Sequence, residues 1–399
     1  MKYSYCKKDF ELAKRYVDAS LSMDKIYKEQ SGDKDKDLAR EGLVPVVLSP
    51  HKWDFLGSWE ECKKQLLSVY EGYKTIDNDI RKNYMFEQIS SVITLGEWVF
   101  EQKRGSYRKL VSDLMFIDPN PATEWQLERD RQKLYNLLGD QKYRGNLEER
   151  LNAWKDDNRI PKEKLEQTLD ELSEQCLERT IALGFEGLAD VKVKAVIVYD
   201  APYSGYCDFL GRSIYVNGDL DYFYPTAKRL MSHETHPGHV THMQIRKLQV
   251  EAGLAPVDAL LVFTNTASSP IFEGLADNGL SFMGWNKTAD DEIAETLQTM
   301  VSKINNTCSH MLHELGCSTD EAMNFWMKKA FINEAGVKSK LRMVTHPLRM
   351  PFSYSYWRGN EAVATVYSQL ERHETGDFLR YAYNNMHSAN TVAQFTSSR

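Results

Sequence analysis

The sequence predicts a mainly α-helical protein carrying one small β-sheet. Apolar residues return every three or four positions through most of the chain, the period of one helix face. Only near residue 190 does the texture change, to the valine-rich alternation of VKVKAVIVY and the short SIYVNG, which is the period of strands. The composition, 42% apolar and 27% charged over 399 residues, is that of a soluble globular chain with a sizeable core.

The elements follow in order. Residues 1–42 are charge-rich, with KEQSGDKDKD expected as an exposed connection. Residues 43–52, LVPVVLSPHK, form an apolar break with two prolines. WEECKKQLLSVYEGYKTI and FEQISSVITLGEWVFEQ then read as helices. DPNPATEWQLERDRQKLYNLLG opens on proline and threonine, a helix start signal. IPKEKLEQTLDELSEQCLERTIALGF repeats it, with Pro161 early and charges spaced for pairs along the helix surface. VKVKAVIVY and SIYVNG are expected as two strands of a hairpin, with the turn-rich APYSGYCDFLGR as its long tip. Helical periodicity returns in PTAKRLMSHET, SSPIFEGLADNGLSFM, DDEIAETLQTMVSKINNTCSHMLHELG and STDEAMNFWMKKAF, and HPLRMPFSYSYWRGNEAVATVYSQLE is a proline-broken approach to one more helix. No linker divides the chain. The expectation is one mostly helical body, with residues 1–185 as an N-terminal lobe and residues 186–399 as the region carrying the hairpin and the chemistry.

Composition also excludes function classes. A net charge of −7 argues against a globally basic surface for nucleic acid. No run approaches the length of a membrane span, and MKYSYCKKDFELAKRY lacks the apolar core of a signal peptide. The six cysteines lie far apart without a CxxC pair, as in reduced thiols. The expected location is therefore cytoplasmic, without a membrane partner.

One stretch does not read as scaffold. LMSHETHPGHVTHMQ places four of the ten histidines within ten residues, at His233, His236, His239 and His242. In the zinc-peptidase signature H-E-x-x-H, the histidines at i and i+4 share a helix face and the glutamate serves as general base. Here His233 and Glu234 are followed at i+4 by Pro237, which has no ligating atom. Three partners for His233 remain. His236 at i+3 faces roughly the same way. In an ideal helix His239 is turned by about 240° and His242 by about 180°. Pro237 breaks the helical bonding and Gly238 loosens the backbone; a turn tightened to about three residues would carry His239 back beneath His233. A catalytic site needs a third protein ligand. Glu273 in SPIFEGLADNG, 34 residues after His239, suits a ligand from a following helix. Asp277, one turn on, is either a carboxylate orienting a histidine or a surface acid. Zinc is the default ion for this donor set, and manganese, iron or cobalt use the same groups.

The segment resembles the DUF885 family of bacterial proteins, distant relatives of the gluzincin metallopeptidases. The resemblance rests on His233, Glu234, Pro237, Gly238, His239 and Gln244, and on the block Glu273, Gly274, Ala276. It extends to Asn217, to His313 with Gly316, and to Ser355, Tyr356 and Gly359, so it covers the chain from about residue 190 onward. It implies a gluzincin-related helical fold, a metal held by His233, His239 and Glu273, and Glu234 as general base or acid. The chain departs from the family at His236, where relatives keep tyrosine, and at Val240, where they keep a second histidine. That loss favours His239 as ligand, with His236 as a rival ligand or a proton donor. Asn305 and Ser309 stand where the family carries arginine and aspartate, which points to an altered substrate or reaction.

Other residues enter by type. Tyr356 and His313 are candidate donors to a developing oxyanion. Tyr203, Tyr354, Arg349 and Arg358 are candidate substrate contacts, the arginines as carboxylate clamps. Cys207 lacks an activating histidine and is no nucleophile. The expected function is a metal-dependent hydrolase of an amide or peptide-like bond in a small substrate. The alternatives are a lyase or tailoring enzyme using the same metal and glutamate, and a non-catalytic metal-binding protein.

Overall fold

The computed structural model describes residues 5–31, 42–185, 187–201, 203–331 and 334–396. The end of the expected KEQSGDKDKD connection lies outside them, and its start is helical. In chain order the elements are α1 (Lys7–Ser31), β1 (Val46–Val47), α2 (Trp59–Tyr73), α3 (Asp79–Glu101), α4 (Tyr107–Met115), α5 (Glu124–Asp140), α6 (Leu147–Asp157) and α7 (Leu165–Ile181). Then come β2 (Lys194–Val198), β3 (Gly205–Asp208), β4 (Ser213–Asn217), α8 (Tyr224–Glu234), α9 (His239–Glu251), β5 (Leu261–Val262), α10 (Ser269–Asp277) and α11 (Gly279–Phe282). The last are α12 (Ala289–His313), α13 (Thr319–Ala330), α14 (Glu334–Val344), α15 (Ser353–Tyr367), α16 (Thr375–Asn384) and α17 (Ala389–Val392). The protein is mainly α-helical with a small, unclosed sheet, and no described helix is long and apolar enough to cross a membrane.

Local chemistry starts these helices where periodicity placed them. Thr123 caps α5 in a reciprocal box with Gln126, and Thr288 caps α12 with Asp291, each satisfying backbone N–H groups that the first turn leaves open. The strands differ from the expected hairpin. β2 runs parallel to β4, and the hairpin is formed instead by β3 and β4, giving the order β2-β4-β3. APYSGYCDFLGR is therefore not a tip, since it supplies edge strand β3. Two strands can be parallel neighbours only if the chain returns between them, and the stretch carrying β3 makes that return.

The chain folds into two compact units. One comprises residues 1–119, 242–275 and 358–399, the other residues 120–241 and 276–357. Each draws on both the 1–185 and the 186–399 stretches. In the second, α5, α6, α12 and α13 enclose a core around Leu134, Trp154, Met300 and Trp326. In the first, β1 pairs antiparallel with β5. There α10 and α15 meet backbone to backbone. A Cβ on Gly274 would lie 2.2 Å from the carbonyl oxygen of Gly359, and one on Gly359 would lie 1.9 Å from that of Pro270. Both glycines belong to motifs singled out in the sequence, and close approach is their physical reason. Gly359→Ala is expected to destabilise the protein by about 1–3 kcal/mol in urea unfolding, because a backbone carbonyl cannot yield as a side chain can.

The first unit also buries His387, whose Nε2 donates to the carbonyl of Tyr381 at 3.0 Å. Burial pushes its pKa down to about 4, the Tyr381 contact offsetting only part of the shift. The unfolded chain takes up this proton near its ordinary value of 6.5, so the stabilisation is complete above that pH and is lost as pH falls towards 4. Its size is up to about 3 kcal/mol. His387→Gln should therefore flatten the fall of the urea midpoint between pH 6.5 and 4.

Candidate metal centre

The site is built around a break between two helices. α8 ends at Glu234, and Thr235 leaves helical geometry with φ −109° and ψ −96°. The His236–Pro237 peptide is cis. Gly238 then donates its N–H to the Ser232 carbonyl at 3.0 Å, and α9 begins at His239. The expected tightening of a single helix is thus corrected: the helix stops and restarts. Pro237 cannot donate to the α8 carbonyls. Gly238 lies so close to the end of α8 that a Cβ would sit 1.8 Å from the His233 carbonyl oxygen. Gly279 of α11 abuts the same link, where a Cβ would sit 2.5 Å from Ser232 Oγ.

The break brings His233 and His239 together, their rings 4.6 Å apart at 77°. Glu273 of α10 completes the group. One ligand atom from each of the three lies within 4.8 Å of the others, and all three residues are buried. Imidazole nitrogens and a carboxylate oxygen converging in a buried place suit a divalent cation. Three polar groups buried this closely are otherwise costly.

His233 is held from behind. Its Nδ1 lies 2.7 Å from Oδ1 of Asp277, and Arg229 donates to the same oxygen. Burial alone would push the Asp277 carboxyl up, but the Arg229 charge and the His233 contact together hold it below the usual carboxylate range. Asp277 is thus the orienting carboxylate and not a surface acid. Arg229 was missed in the sequence, although its place four residues before His233 puts both on one face of α8.

Glu234 is buried at 8% exposure and lies outside the three-ligand group. Edge strand β3 passes over it: a Cβ on Gly205 would lie 3.6 Å from Glu234 Cγ. Cys207 of β3 feels the same carboxylate. Burial first, then the negative charges of Glu234 and Asp208, push its thiol well above the usual range, which agrees with its reading as no nucleophile.

His236 stands apart. Its Nδ1 is 2.8 Å from Thr241 Oγ1 and its Nε2 is 2.9 Å from the Val191 carbonyl. Both ring nitrogens are engaged away from the ligand group, and burial pushes the ring down to about 4. The rival to His239 is thereby a buried packing histidine. His242 is likewise buried in α9, its ring against Phe272 and Tyr383.

The remaining candidates divide. His313 donates from Nε2 to the Val344 carbonyl at 2.6 Å. Tyr356 is partly buried with its ring edge-on to Phe352. Arg358 pairs with Asp118 at 2.7 Å and Glu361 at 2.8 Å, so this guanidinium is spent on structure. Arg349 is half-buried, just before α15, and Tyr354 is fully buried within that helix. Tyr203 packs on Tyr206 at the start of β3, 5.4 Å between rings.

No family model and no curated protein matches the chain. Among solved structures, the chain is similar to the crystal structure of a "putative lipoprotein" from Colwellia psychrerythraea, with a TM-score of 0.53 and 13% identity over 86% of this chain and 63% of that one. It is also similar to a "putative lipoprotein of unknown function" from Shewanella oneidensis, with a TM-score of 0.51 and 14% identity over 84% of this chain and 72% of that one. The chain spans less than two thirds of the length of the protein from Colwellia psychrerythraea. At such identities the likeness shows the fold alone.

Proposed function

We propose that this chain is a metal-dependent hydrolase of an amide or peptide-like bond in a small substrate, related to the DUF885 family. The observation that carries the reading is the company of Glu234: a buried acid beside three converging ligands that is not itself one of them. His233, His239 and Glu273 would hold a divalent cation, which would supply Lewis acidity towards the scissile carbonyl and a water molecule. Glu234 takes the proton of the attacking water on its carboxylate and returns it to the leaving amine. The outer edge of β3 offers backbone N–H and C=O groups to an extended amide chain, and Gly205 on that strand lies against Leu230 and Glu234 of α8. Tyr356 is the proposed donor to the oxyanion in preference to His313, whose Nε2 proton is committed to a carbonyl.

A second reading keeps the same residues in a lyase or tailoring reaction. It is favoured by Asn305 and Ser309, which bind Trp326 Nε1 and the Met350 carbonyl. They supply packing where the family carries charge.

Metal analysis of the purified protein, with turnover assays on short blocked peptides and amides, tests both. One cation per chain and hydrolysis that a chelator abolishes are expected. Elimination without hydrolysis would favour the second reading, and a chain that takes up no metal would sink both.

A further inference from the structure

We infer that the first unit carries a ligand site of its own, a buried pocket for one small monovalent anion of the chloride class, built by Arg246 and His242 of α9. It uses none of the three converging ligands and does not rest on the proposed function.

The site is an enclosed cavity of about 10 Å³, room for a single small particle. Arg246 and His242 line it from α9, Ser268 from the turn before α10, Phe272 from α10 itself, and Met386 and His387 from the link between α16 and α17. Among the described residues no acid lines it. His242 and Arg246 stand four residues apart and so share one face of α9.

Both side chains have unmet polar groups there. His242 is 5% exposed, and neither ring nitrogen has a hydrogen-bond partner among the described residues. Burying such groups unmet is costly. With neither nitrogen committed, the ring can carry its proton on whichever one faces the occupant. Arg246 is 3% exposed, and its Nε and Nη2 donate to the carbonyls of Ala259 and Leu261 at 2.8 Å and 2.6 Å. A guanidinium has five N–H donors, so these two bonds leave donors over, and neither bond balances its charge.

Arg81, a second buried arginine of this unit, shows the difference. It meets both oxygens of Asp258 and reaches Asp9. Burial pulls its pKa down, yet the charge of Asp258 carries it well above the usual range. Burial pushes Arg246 down to about 10, with Tyr84 and Asp258 offsetting only part of the loss. Asp258 has already given both oxygens to Arg81. A buried charge is stable when paired, and the cavity beside Arg246 is where a counter-ion fits. Size then decides the class. Phosphate, sulfate and carboxylates need room for several heavy atoms, whereas chloride is one atom that accepts N–H donors from any direction. Seated there, it ties α9 to α10 and to the link after α16.

Urea unfolding of the full chain in sodium chloride against sodium gluconate, at equal ionic strength, tests the site, because gluconate is too large to enter. The folding equilibrium constant should rise about tenfold for each tenfold chloride above half-saturation, and gluconate should leave it flat. Arg246→Met should abolish the difference between the salts, and His242→Phe should shrink it. Crystals soaked in sodium bromide should show an anomalous peak within hydrogen-bond reach of Arg246 and His242. Equal midpoints in the two salts, or a chloride effect that survives Arg246→Met, overturns the proposal. If Arg246→Met does not fold, the wild-type bromide crystal decides, since a cavity holding water alone overturns it.

Discussion

Glu234→Gln is expected to lower turnover by about 10²–10⁴-fold, the usual contribution of a positioned general base, while the metal content stays at the wild-type level. Glutamine has nearly the shape of glutamate, so the packing of α8 beneath β3 should survive. What it lacks is a carboxylate able to accept a proton. The contrast with the ligands makes the experiment informative. His239→Ala and Glu273→Ala remove members of the converging group and are expected to lose the metal as well as activity. Metal analysis beside initial rates separates the two classes. If Glu234→Gln loses its metal, Glu234 is a ligand and the proton-transfer role is wrong; if it keeps full activity, the base lies elsewhere.

Asp258→Ala is expected to destabilise the protein by about 3–5 kcal/mol, the cost of stranding a buried charge. Arg81 of α3 is 1% exposed and meets both oxygens of Asp258 at 2.9 Å. It also reaches Asp9 of α1 at 3.3 Å and the Tyr73 hydroxyl of α2 at 3.0 Å. The rings of Tyr5 and Tyr84 flank the guanidinium, 5.4 Å and 5.9 Å from its central carbon. One cation therefore ties three helices to the turn that leads into β5. Among the described residues, removal of Asp258 leaves Asp9 to balance it in a place closed to water. Replacing both partners, as in Arg81→Met with Asp258→Leu, should recover part of the loss, because the stranded guanidinium is gone, while Asp9 loses its ion partner and keeps the Cys6 N–H as a donor. Urea unfolding of the two single variants and the double variant measures this. A loss below about 1 kcal/mol for Asp258→Ala would place the pair in the range of solvated surface ion pairs and refute the buried-clamp account.

Much of the fold was legible because helices announce themselves locally. α2, α3, α5 and α12 carry their apolar faces at helical spacing, and α5 and α12 carry their caps in adjacent residues. The short strands do not. β1 and β5 are two residues each, too short for alternation to register, and they pair across more than two hundred positions. β2 and β4 were legible as strands, but their parallel pairing depends on the path of the intervening chain. Arg81 and Asp258, 177 positions apart, look like ordinary surface charges until the fold buries them together.

The candidate site divides along the same line. By itself the sequence determined which chemistry the chain could carry: a dense histidine cluster beside a glutamate, a proline where a ligand is usually found, and an acid on a later helix. Those are facts of residue type and spacing. Only the tertiary structure decided which histidine converges with His233 and Glu273. His236 lies nearer to His233 in sequence than His239 does, yet Val191, 45 residues earlier, takes its Nε2, and Thr241 takes its Nδ1. The break between α8 and α9, with Gly238 packed close against the His233 carbonyl, sets His239 against His233 instead. A side chain's donor atoms go to whichever buried partner the fold brings within hydrogen-bond reach, and that partner comes from distant chain that no local pattern names.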